Sequence, residues 1–157
     1  MKTMKLKKLF LSLIIIGYVC LASAHEQAGT LGRKNSTAAG TDIFQIDCYD
    51  DDNGDPHHLI ANVSDLRPVN PALIGIQITS LTTGQESKLS IDPKDNDGKA
   101  SANVKVVSDR GPYQVKIQRI RTPKDKKGVE VYFMVFHCET ATGAHTGTSD
   151  PVMKQNQ

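Results

Sequence analysis

Beyond residue 40 the chain alternates apolar and polar side chains with a period of two, the pattern of strands with one face buried. Over residues 42–48, Phe44, Ile46 and Cys48 share one face while Gln45 and Asp47 share the other. Residues 58–66 set Leu59, Ala61 and Val63 to one side, and residues 73–79 do the same with Ile74, Ile76 and Ile78. Residues 88–91 read as a short edge strand in which Lys88 discourages pairing between molecules. Ala102, Val104 and Val106 mark a further strand, and Tyr113, Val115 and Ile117 alternate with Gln114, Lys116 and Gln118 in the next. Residues 129–138 are apolar on both faces, as in a central or covered strand. Turn-forming clusters rich in Asp, Asn, Gly and Pro separate these runs, and no segment carries a helical period. The expectation is all-β: a single antiparallel β-sandwich of about seven strands over residues 41–139.

The flanks lack this rhythm. Residues 25–40 and 140–157 are small and polar, and are expected to be a flexible N-terminal arm and a polar C-terminal tail. Residues 1–24 have a basic start, an apolar stretch from Leu9 to Val19 and an Ala22-Ser23-Ala24 ending. That is the layout of a secretory signal peptide cut after Ala24. A spanning helix needs ~20 apolar residues, so no integral membrane segment is expected after cleavage.

Export changes the charge. The precursor carries +2, but the leader holds Lys2, Lys5, Lys7 and Lys8 and no acid, so the remainder has 15 basic residues against 17 acidic ones. The basic balance therefore belongs to the leader, and nothing in it argues for nucleic acid as a partner. Export also leaves two cysteines, Cys48 and Cys138, which in an oxidising compartment form a disulfide. The expectation is that it ties the first strand of the sandwich to the last. Closing a loop of this length stabilises by roughly 4–5 kcal/mol in the chain-entropy picture.

The order Thr41-Asp42-Ile43-Phe44-Gln45-Ile46, Leu59-Ile60-Ala61-Asn62-Val63, Gly111-Pro112-Tyr113-Gln114-Val115-Lys116-Ile117 and Val131-Tyr132-Phe133-Met134-Val135 resembles the bacterial pre-peptidase C-terminal domain. The resemblance implies a small exported β-sandwich of the kind appended to secreted enzymes. It rests on strand rhythm and one Gly-x-Tyr turn, carries over no functional residue, and does not account for the cysteine pair.

Candidate chemistry centres on histidine. Cleavage after Ala24 would make His25 the first residue, offering an α-amine and an imidazole to one metal ion. Nitrogen donors suit Cu(II), which leads the divalent affinity order. A second imidazole would come from His145, with His137 beside Cys138, if the disulfide gathers both ends of the chain. His57 and His58 read as exposed loop residues, since neighbours on a strand face opposite ways. The acidic run holding Asp50, Asp52 and Asp55 offers oxygens to calcium, although Tyr49 stands where the first loop ligand belongs. Asp95-Asn96-Asp97-Gly98 shares that defect, with Pro93 in the corresponding place, and reads as a turn.

No Gly-x-Ser-x-Gly elbow, Cys-x-x-Cys pair or acid–base dyad is evident. The sequence thus predicts a non-catalytic periplasmic or secreted binding module with a copper site at its terminal histidines. The competing expectation is a structural protein that assembles with itself or another exported protein by laying the arm along a sheet edge.

Overall fold

The computed structural model describes residues 24–35, 39–68, 72–108, 110–122 and 126–157. The expected leader up to residue 23 lies outside them. Among the described residues there is no helix, and hence none long and apolar enough to cross a membrane. The chain forms two antiparallel sheets. Its strands are β1 His25–Arg33, β2 Thr41–Ile46, β3 Cys48–Tyr49, β4 His58–Asp65, β5 Leu73–Ser80, β6 Ser90–Ile91, β7 Val104–Val107, β8 Tyr113–Ile120, β9 Gly128–Glu139, β10 His145–Thr148 and β11 Val152–Gln155.

One sheet has the order β3-β10-β9-β4-β7, with β1 also paired to β9; the other runs β11-β2-β8-β5-β6. The inward sets legible in the sequence meet between them. Phe44 and Ile46, Leu59 to Val63 by twos, Ile74 to Ile78 by twos, Val104 and Val106, and Tyr113 to Ile117 by twos are all buried. Each strand thereby hides one face and wets the other, and two such faces packed together enclose one core.

Strand β9 is the axis of its sheet. Tyr132, Met134, Phe136 and Cys138 point into the core, while Val131, Phe133, Val135, His137 and Glu139 stand half-buried on the opposite face. One edge of β9 pairs with β4 from Asp65 to His58. The other edge is shared: β1 covers Gly128 to Phe136, and β10 takes over at Cys138 and Glu139. An expected central strand is central, which accounts for its two apolar faces.

Both flanks differ from expectation. Residues 25–33 are a nine-residue strand paired along β9, not a free arm. Main-chain pairing needs no apolar period, and two side-chain features suffice to seat the strand. Leu31 is fully buried. Gly29 lies across the Tyr132 ring, where a Cβ would fall 2.2 Å from the phenolic oxygen. The tail likewise supplies β10 and β11, and the Gly32 amide of β1 donates to the Gln157 carbonyl at 3.2 Å. The Cys48–Cys138 disulfide is present, with Cα atoms 5.8 Å apart. It links an early strand, β3, to a late one, β9, with β1 before the pair and β10 and β11 after it.

Candidate metal centre

The outer face of the β9 sheet changes character at its disulfide end. After Val131, Phe133 and Val135, the same face of β9 continues with His137 and Glu139, because residues two apart on a strand share a side. Glu139 pairs with His58 at the start of β4 and with His145 at the start of β10. The three residues form one rung across three strands. Cross-strand partners on a face stand about 5 Å apart, which is why this register brings their side chains together.

Glu139 is the hub. Its Oε2 lies 2.7 Å from His58 Nε2, and its Oε1 lies 2.9 Å from His137 Nε2. The carboxylate can only accept, so each imidazole donates Nε2–H to it. The ring of His145 stacks on that of His137, with centroids 3.9 Å apart and planes inclined by 17°. Ligand atoms of His137, Glu139 and His145 all lie within 4.8 Å of one another.

The surroundings disfavour charge on two of the imidazoles and leave ring nitrogens unsatisfied. Burial pushes His58 below its usual range, outweighing the opposing hydrogen bond that it donates to Glu139. Burial also lowers His145, and the neighbouring His137 adds to the effect. For Glu139 burial acts upward, but the hydrogen bonds and charges of His137 and His58 outweigh it and hold the carboxyl below its ordinary value. The Nδ1 atoms of His58, His137 and His145 are buried without a hydrogen-bond partner among the described residues. Leaving such an atom unpaired costs about 1–3 kcal/mol, and a metal ion takes a ring nitrogen that has no other partner.

His25 is not part of this group. It pairs with Phe136, so its side chain stands on the inner side of the sheet, against the Phe136 ring and 3.6 Å from Asp150. His137 and His145 occupy the outer side. The expected meeting of His25 with His145 therefore does not occur, because strand pairing of residues 25–33 fixes which way residue 25 faces. The acidic loop behaves as a turn. Asp50 Oδ1 accepts the amides of Asp52 and Gly54, and Asp55 pairs with Arg110 at 2.5 Å. Asp50, Asp52 and Asp55 do not converge on a common point as His137, Glu139 and His145 do.

Two members of the cluster escaped the sequence reading. His58 looked like a loop residue but is 4% exposed at the start of β4. Glu139 was passed over although His137-x-Glu139 on a strand already puts an imidazole and a carboxylate on one face. A second convergent group, Asp65, Asp95 and Glu130, lies at the other end of β4 and β9. No family model, curated protein or solved structure matches this chain.

Proposed function

We propose that this protein is an exported, non-catalytic module that binds a divalent transition-metal ion, copper(II) or zinc, through His137, Glu139 and His145. The observation that carries this reading is the convergence of two imidazoles and a carboxylate within 4.8 Å on paired strands. Ligand atoms around a tetrahedral ion at ~2.1 Å lie ~3.4 Å apart, so small side-chain rotations close the site. Mixed nitrogen and oxygen donors suit copper and zinc better than calcium or magnesium. His58 acts one step removed, holding the carboxylate from behind through its hydrogen bond. The Cys48–Cys138 bond fits an oxidising compartment and anchors β9 one residue before Glu139. The assembly reading is weaker, since the segment that would reach a neighbour is already paired with the chain's own β9.

Calorimetric titration of the purified protein with Cu²⁺ and with Zn²⁺ tests this. The wild type should bind one ion, His137→Ala and His145→Ala should each weaken binding at least tenfold, and His25→Ala should leave it unchanged. Binding that survives both cluster substitutions but disappears with His25 would move the site to the N-terminal strand and refute the proposal.

A further inference from the structure

At the far end of β4 and β9, the chain buries carboxylates instead of imidazoles. Asp65 closes β4 and is 1% exposed; Glu130 lies near the start of β9 and is fully buried. Asp95 comes from the turn that follows β6 and is partly open to solvent. Oxygens of the three lie within 4.8 Å of one another. The turn is tied down independently of this contact. The Asn96 amide donates to the Asp65 carbonyl at 2.8 Å, and Asp92 accepts the amides of Asp65 and Lys94. Asp92 is thus satisfied by backbone donors and serves to position the turn.

Asp65 is different. Neither of its carboxylate oxygens completes a hydrogen bond, although the side chain is buried and turned into the group. Burial and the charges of Asp95, Glu130 and Asp92 all disfavour its ionised form, outweighing the pull of the nearby Ile74 amide. Arg119 reaches the group through Glu130 at 3.6 Å, with both side chains fully buried. Its guanidinium also donates to the Lys126 carbonyl at 2.8 Å. A buried carboxylate without donors is costly unless a proton or a cation meets it.

We propose that Asp65, Asp95 and Glu130 form a calcium site, separate from the histidine cluster. Calcium takes six to eight oxygens at about 2.3–2.6 Å, so oxygens on opposite sides of the ion lie ~5 Å apart. The observed spacing meets that with little movement. The oxygen-only donor set excludes the softer ions suited to the histidines. Asp95 provides the solvent-facing entrance, and water completes the shell. The turn holding Asp95 does not match the calcium-loop pattern, because Pro93 stands at the first ligand position. Here only one residue of the turn is a ligand, and the others come from strand ends brought together by the sheet.

The test is thermal unfolding of the EDTA-stripped protein at neutral pH, alone, with about 10 mM calcium chloride, and with the same concentration of magnesium. Calcium should raise Tm by about 5–10 °C, and magnesium by much less. Asp65→Asn and Glu130→Gln should each abolish the calcium response. Asp95→Asn alters a partly exposed turn residue and serves as the foldable variant should a buried substitution prevent folding; it should weaken the response at least tenfold in calcium concentration. His137→Ala should retain the full response. A wild-type Tm indifferent to calcium would overturn the proposal and leave a proton as the partner of Asp65. So would an Asp95→Asn variant that responds as the wild type does.

Discussion

The two ends of strand β9 are built from opposite chemistry on opposite faces. At the Cys138 end, His137 and Glu139 stand on the outer face with His58 and His145, partly open to water and stapled from beneath by a disulfide. At the Gly128 end, Glu130 points inward with Asp65 and Arg119, sealed between the sheets. The outer cluster pairs only in part within itself: one carboxylate accepts from two imidazoles, and three buried Nδ1 atoms are left over. The inner group gathers three carboxyl groups, with Arg119 beside Glu130 and the Asp65 oxygens without such a partner. The two proposed ions follow that difference, copper or zinc for the nitrogen donors and calcium for the oxygens.

The largest expected effect concerns the staple. Replacing Cys48 and Cys138 by serine should cost roughly 4–5 kcal/mol in urea unfolding. The pair sits at the histidine end, so copper affinity should suffer while the calcium response persists. Equal loss of both would remove the distinction between the two ends.

The next effect separates them by pH in metal-free protein. The buried Asp65 carboxyl is raised to about 8 from a free value of 3.8. The folded state thus holds a proton that the unfolded chain releases. The stability this contributes is complete below pH 3.8 and is lost as pH rises towards 8, at up to ~1.4 kcal/mol per pH unit. The groups facing Asp65 are Asp92, Asp95 and Glu130, with Arg119 beside Glu130. In Asp65→Asn the fall between mild acid and neutrality should flatten, measured as urea midpoint against pH.

The histidine end has the opposite sign. His58, lowered by burial, binds its proton less readily when folded, and Glu139 is lowered by its two histidine partners. Their contribution is present near neutrality. The His58 share is lost as pH falls from 6.5 through its folded value, and the Glu139 share as pH falls from 4.5 through its own. His58→Gln should flatten this acid limb and weaken copper binding about tenfold, as loss of a group behind a metal ligand does. An acid limb unchanged in that variant would mean that the rung does not titrate as a unit.

A smaller effect probes the strand that covers β9 from Gly128 to Phe136. Leu31→Ala should cost about 2–4 kcal/mol if β1 is an integral part of the core. Because β1 covers β9 only as far as Phe136, its loosening should leave copper affinity nearly intact.

Period-two alternation along 42–48, 58–66, 73–79 and 113–118 determined the strands and their buried faces, since alternation needs only local sterics and a core to face. The leader-like opening and the cysteine count pointed to the disulfide in the same way. The pairing of residues 25–33 with β9 was not legible, because it depends on backbone hydrogen bonds and a glycine beneath Tyr132, neither of which leaves an apolar period. Nor were the two clusters. His58, Glu139 and His145 meet through register across three strands, and Asp65, Glu130 and Asp95 through two strand ends and a turn. A sequence states which way each side chain faces along its own strand; only the folded sheet states which strands stand side by side, and at which residue.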